Sequence, residues 1–378
     1  MTKPSTTLPL YPEQVRQLVL PEAEAPASQR HTIGLGAYAF DAHGASDIEL
    51  AARMAPGHLD LRLRTATLPF AAHPPRAKAV RMSLEQMEPL RGPGVTAMHR
   101  PSFLPARSVP AASNPRERYF GKLPRSLNKR LDQVFDQPLD IPDTRYAYFD
   151  TAYPWSAFGR VTSGGYGASF AASGVMVGPR HALVSSGAVG WHGAGDTDWL
   201  VFTPCYSHGL TPFGSAYAER IYAWRQVPLI YFGKQVELKA VNYAVVILNS
   251  RIGDTTGWVG TRIYEPGWDG AAVWSMSSYN SHFWLGDEPV YQDSLTLGPV
   301  EFPPGADPSG QAMAITNNAH AAGLFEQLGA PLLGWWPGEV GPSTVGVYSY
   351  FDGELNSARA AGGAPLFRLI QQARTEFP

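Results

Sequence analysis

The sequence has a single cysteine, Cys205, in 378 residues. An intramolecular disulfide is therefore excluded. What remains is a chain from a reducing compartment, or a secreted fold that needs no staples. Charge is also sparse. Only 16% of residues are charged and the formal net charge is −2, so the chain as a whole is not built to meet a strongly charged partner. No run of about 18 apolar residues occurs, which excludes an ordinary membrane-spanning helix and leaves no membrane partner expected. The opening MTKPSTTLPLYPEQ lacks the long apolar stretch of a secretory leader. A cytoplasmic location is the expectation. No HExxH, CxxC pair, EF-hand loop, phosphate-binding loop or dinucleotide fingerprint is recognised, so neither metal nor cofactor is expected.

What is present is unevenly placed. All ten tryptophans follow residue 145, whereas 18 of the 34 prolines precede it. Residues 1–145 carry 19 Lys/Arg against 14 Asp/Glu, and residues 146–378 carry 11 against 18. Large aromatics dominate core energetics, so the main core is expected in 146–378. The first 145 residues read as a basic, Pro-rich, mostly irregular arm or pro-segment-like region with short helices, because AAHPPRAKAV and RPSFLPARSVPAASNP favour extended backbone. One such helix is expected over 124–135, where Leu127, Leu131, Val134 and Phe135 share a face. Residues 76–130 hold twelve Lys/Arg and three Asp/Glu. A segment that lies over its own acidic partner domain or stays partly mobile accounts for that balance, and a pro-segment or partner-binding arm is the next reading. The basic residues are dispersed and accompany no nucleic-acid-binding motif, so nucleic acid is the weaker reading.

From 146 onward, short apolar runs alternate with Gly, Pro, Asn and Asp. Candidate strands are 157–161, 174–178, 181–185, 198–204, 244–248, 272–276, 311–316 and 345–349. Several short strands with turn signals predict an all-β barrel or sandwich. GAPLFRLIQQARTEF places Leu366, Leu369, Ile370 and Ala373 at helical spacing, which predicts an amphipathic closing helix over about 364–376.

Six segments carry a resemblance: YPWSAFGRV, SGVMVGPRHALVSS, FTPCYSHGLTPFGSAYAERIYAW, NYAVVILNSRIGDTTGW, EQLGAPLLGWW and VGVYSYFDGELNSARAAGG. Together, and in this order, they resemble the trypsin/chymotrypsin-like serine peptidases, most of all the bacterial glutamyl-endopeptidase-like members. The resemblance implies a chymotrypsin-like double β-barrel with a C-terminal helix. The first barrel is expected over about 146–258 and the second over about 259–363.

That family needs a serine nucleophile, a histidine base, an aspartate that orients the histidine, and amides that hold the oxyanion. The resemblance places these roles on the chain one by one. The histidine position, in a motif like L-T-A-[AS]-H, falls on Gly187, after Leu183, Val184, Ser185 and Ser186. Ala188 follows, where trypsin relatives often have cysteine. The aspartate position falls on Asn242, in NYAV. The serine position falls on Leu328, in EQLGAP, where Gln327, Gly329, Ala330 and Pro331 fit the motif. Glu326 takes the place of an oxyanion-hole glycine. Glutamyl-specific members often have histidine where this chain has Tyr348. Tyr350 stands where a small residue usually keeps the groove open. Gln327, Tyr348, Ser349 and Tyr350 are the candidate cleft residues.

The expectation is a pseudoprotease, a scaffold for a protein or peptide partner, an active relative or further copies of itself. The alternative is a hydrolase whose chemistry moved to a Ser/His or Cys/His pair built from Ser185, Ser186, His192 (with Asp196 and Asp198 close in sequence), Cys205 and His208.

Overall fold

The computed structural model describes residues 7–24, 52–55, 58–61, 75–82, 94–112, 145–164, 170–191, 197–227, 240–279, 287–301, 310–316, 327–352 and 357–378. The helix expected over 124–135 lies outside them, as do His192, Asp196 and Glu326.

Eighteen strands occur among the described residues. They are β1 (Ala52–Ala55), β2 (His58–Leu61), β3 (Lys78–Arg81), β4 (Val95–Thr96), β5 (Tyr146–Ala147), β6 (Phe158–Ser163), β7 (Phe170–Gly178), β8 (His181–Val184) and β9 (Leu200–Pro204). There follow β10 (Ala216–Ala223), β11 (Ala244–Leu248), β12 (Gly260–Arg262), β13 (Trp274–Tyr279), β14 (Pro289–Glu301), β15 (Gly310–Thr316), β16 (Pro331–Gly334), β17 (Ser343–Asp352) and β18 (Ser357–Gly363).

The strands build two closed six-stranded antiparallel barrels. The first runs β11-β8-β7-β6-β9-β10 and closes by pairing β10 with β11. The second runs β16-β13-β14-β15-β18-β17 and closes by pairing β16 with β17. Closure leaves no exposed sheet edge within either ring. The double barrel expected from the sequence is therefore present, with its closing helix at Ala364–Glu376. One strand departs from the expected division: β5 pairs with β14 of the second barrel. Of the expected strands, 244–248 matches β11 end to end, and 272–276 is displaced towards Trp274–Tyr279.

The barrel interiors follow from residue choice. Val161, Val175, Leu183, Val245, Val246 and Ile247 are branched and wholly buried. Such side chains suit a pleated, packed surface. Tyr264, Trp268, Trp274 and Trp336 fill the second barrel, with Trp268 and Trp274 ring centroids 5.8 Å apart. At the junction of the barrels, Trp155 packs edge-on against Tyr148 and Tyr291, at 5.6 and 5.2 Å.

The closing helix is held by the face read from its spacing: Leu366, Leu369, Ile370 and Ala373 are buried. Its last turn is tied to β8 by the buried His181, whose Nε2–H donates to the Ala373 carbonyl at 3.1 Å. Burial, with the positive charges of Arg374, Arg180 and Arg251, lowers the His181 pKa from 6.5 to about 4. The folded state thus prefers the neutral ring. Its contribution is complete above the unfolded pKa of about 6.5 and is lost as pH falls from there towards 4, a difference of about 3 kcal/mol. Urea unfolding across pH 8 to 4 should show this loss in the parent and a correspondingly shallower fall in H181Q. Parallel pH profiles for the two proteins would contradict it.

Candidate functional site

The three positions read from the resemblance meet in space. Gly187 sits in a single helical turn after β8, Asn242 precedes β11, and Leu328 precedes β16. A Cβ placed on Gly187 would lie 3.5 Å from Asn242 Oδ1, 3.5 Å from Leu328 Cδ2 and 3.5 Å from Ser185 Oγ. Residues 55 and 141 positions away in sequence thus converge on one glycine. Those are ordinary van der Waals distances, so the three positions adjoin one another.

Hydrogen bonds of Asn242 join these positions. Asn242 Oδ1 accepts from the Gly187 amide at 2.8 Å and from the Ser185 hydroxyl at 2.9 Å. Asn242 Nδ2 donates to the Ser349 carbonyl at 2.8 Å. The two donors on one side and the carbonyl on the other fix which way the amide points. Because Ser349 belongs to β17, this amide ties the first barrel to the second. Two further bonds cross nearby: Ser173 N donates to the Leu328 carbonyl at 2.9 Å, and Tyr279 N donates to Ser173 Oγ at 2.8 Å.

The turn after Leu328 needs glycine. Gly329 has φ +78°, and a Cβ there would fall 2.4 Å from the Ser173 carbonyl oxygen. Leu328 itself is 1% exposed and joins the continuous core cluster of the first barrel. Leu328 itself brings no nucleophilic atom to this turn.

Gln327, Tyr348 and Ser349 are buried. Tyr348 is part of the second barrel's packed core. Burial pushes its hydroxyl pKa upward. Tyr350 lies next on β17, opposite Arg359 of β18.

The relocated-chemistry residues do not come together among the described residues. Ser186 Oγ donates to the Arg225 carbonyl at 2.9 Å and accepts from Val227 N at 3.0 Å. Cys205 is buried, with Sγ 3.3 Å from the Asp150 carbonyl and 3.5 Å from that of Trp155. Burial, then the Asp150 charge, raises its pKa well above the usual thiol range, so the thiolate is disfavoured. His208 stands 3.6 Å from Glu288 Oε2, and His99 stacks on Trp258. Among the described residues no group of three or more His, Cys, Asp or Glu could hold a metal ion, and no helix is long and apolar enough to cross a membrane.

Two closed barrels in tandem, a cleft position fed by both, and a helix packed on the end decide the architecture. The chain has the trypsin-like serine peptidase fold. Solved structures similar to it include the protease Anisep from Arthrobacter nicotinovorans, at 15% identity and a TM-score of 0.45, covering 61% of this chain and 100% of that one. A Glu endopeptidase matches at 15% identity and a TM-score of 0.45, over 62% of this chain and 98% of its own. An inactivated protease paralogue of the scabies mite matches at 14% identity and a TM-score of 0.42, over 58% and 95%. No protein-family model and no curated protein matches the sequence. Within this trypsin-like fold, sequence reasoning missed the role of Ser185. The signal was its hydroxyl two residues before Gly187, beside a position where an amide needs a donor.

Proposed function

We propose that this chain is a catalytically inactive protein of the trypsin-like fold that serves as a binding or assembly scaffold. Its partner is a protein or peptide, with another copy of the chain or an active relative included in that class. The observation that carries the reading is the convergence of Gly187, Asn242 and Leu328 at one point. Acyl transfer on this fold requires a hydroxyl whose proton passes to an adjacent imidazole. Gly187 has no side chain to accept a proton, and the Leu328 side chain has no nucleophilic atom to attack. Asn242 has spent both ends of its amide on Ser185, Gly187 and Ser349. What supports a scaffold reading is that the site is knitted into the barrel junction, so keeping it maintains architecture. Fold stability comes from burial and does not need the three catalytic groups.

The test is treatment of the full-length protein with a fluorophosphonate probe and a broad peptide library. No labelling and no turnover above buffer are expected. Stoichiometric labelling of one serine, lost on heat denaturation, would overturn inactivity and return the chain to the hydrolases.

A further inference from the structure

Two described stretches of the chain's first half, 75–82 and 94–112, lie on both barrels. On the first, β3 runs parallel to β10, with Lys78–Arg81 opposite Arg220–Ala223. Met82 N donates to the Ala223 carbonyl at 3.0 Å, and the Thr197 hydroxyl donates to the Ala77 carbonyl at 3.1 Å. Ala77 and Met82 are buried there against the first barrel's core. On the second, β4 pairs antiparallel with β12, itself paired with β17. Thr96 Oγ1 lies 2.6 Å from Thr261 Oγ1 and accepts from Thr261 N at 3.0 Å. Ile263 N donates to the Gly94 carbonyl at 3.1 Å.

The connection between the barrels is held as well. His99 and Trp258 exchange both backbone hydrogen bonds at 3.0 Å, and their rings stack with centroids 4.4 Å apart. Trp258 lies between β11 and β12, where the chain passes from one barrel to the other. Further along, Arg107 N donates to the Tyr153 carbonyl and Tyr153 N to the Pro105 carbonyl, each at 2.8 Å. Asp150 accepts from Ala111 N at 2.9 Å and pairs with Arg107 at 3.4 Å. Leu104 is buried with Tyr153 and Phe213.

We propose that residues 75–82 and 94–112 form an internal strap that clamps the two barrels at a fixed mutual orientation. Two barrels joined by side-chain packing and only a few bonds such as Ser173 N to the Leu328 carbonyl keep some freedom to slide or hinge. Directional backbone ladders at both ends, with a stacked and doubly bonded anchor on the connection, remove that freedom. The spacing of the cleft walls is then set by the chain's own first half and not by a ligand. This also makes the strap a permanent part of the fold instead of a removable pro-segment. The inference goes beyond the proposed inactivity and stands whether or not the cleft has chemistry.

The test uses the full chain with a sequence-specific endopeptidase site, flanked by Gly-Ser spacers, inserted between Asn128 and Lys129. After cutting, the first-half fragment is expected to co-elute with the barrel fragment on size exclusion. The two should separate only at urea concentrations that unfold the barrels. Release of the first-half fragment from barrels that keep their native circular dichroism would overturn the strap. In the cut protein, T96V and H99A are each expected to lower the urea midpoint for release, and unchanged midpoints in both would overturn it too. Because none of these readouts involves turnover, failure here leaves the inactivity proposal to its own probe assay.

Discussion

Placing a serine hydroxyl at position 328 is expected to yield no acylation and to cost about 3–5 kcal/mol of stability. Leu328 is buried in the first barrel's core cluster, with its Cδ2 3.5 Å from where a Gly187 Cβ would stand. Removing most of that side chain leaves a void that the close-packed barrel junction can only partly refill. The new hydroxyl adds a further cost if it finds no acceptor. It gains no reactivity, because Gly187 offers no imidazole to take its proton. Urea unfolding of the parent, L328A and L328S proteins separates the two costs. L328A reports the void, and the difference between the variants reports the hydroxyl. A fluorophosphonate probe on L328S reports the chemistry. An L328S protein as stable as the parent would show that Leu328 is not packed as described. Rapid acylation would reveal a base within reach of the elbow.

The fold was legible where strands are short, branched and bounded by turn residues. AVVIL and HALVS needed only their own composition, and the closing helix only its spacing. Other strands were hidden by their residue types. PVYQDSLTLGPVE contains Pro, Asp and a Gly-Pro pair that read as turns, yet it forms β14, whose register shifts at Leu297/Val300 to absorb them. SARAAGG has almost nothing that favours a strand, yet β18 forms because small residues let it approach β17 closely. A Cβ on Gly362 would fall 2.4 Å from the Val345 carbonyl oxygen, so the packing demands what the propensity disfavours. That Gly187, Asn242 and Leu328 would adjoin was legible through the motif letters around them, which are local. The burial of Tyr348 was not, since one strand's facing depends on partners far away in sequence. The contacts of the first half were equally out of reach. A four-residue edge strand such as β3 carries no periodicity, and its pairing with β10 spans more than a hundred residues.

Asn242 is where the site and the fold depend on the same atoms, and its exchange for aspartate makes this measurable. The substitution keeps the acceptor side, so Ser185 and Gly187 can still donate. It replaces the Nδ2 donor by an oxygen 2.8 Å from the Ser349 carbonyl oxygen, in a residue only 5% exposed. At neutral pH a buried carboxylate then faces a carbonyl, with a lost inter-barrel bond besides, and a cost of about 3 kcal/mol is expected. The Asn242 partners described are Ser185, Gly187 and Ser349, none of which brings the positive charge that an imidazolium would bring in a working triad. The sign of the pH dependence follows. Repulsion and burial favour the neutral acid, whose proton can donate to Ser349, so the folded pKa rises above the unfolded value of about 3.9. The stability of N242D is therefore nearest to the parent's below about pH 4, and the gap widens as pH rises through the elevated folded pKa. Melting temperatures of parent and N242D, compared pairwise from pH 4 to 8, cancel the contribution of His181 and isolate this one. A gap that stays constant with pH, or is absent at pH 7, would mean that the Asn242 amide does not bridge the barrels. A gap that opens with pH would identify Asn242 as a hydrogen-bonded rivet, held as an amide because the junction needs its donor.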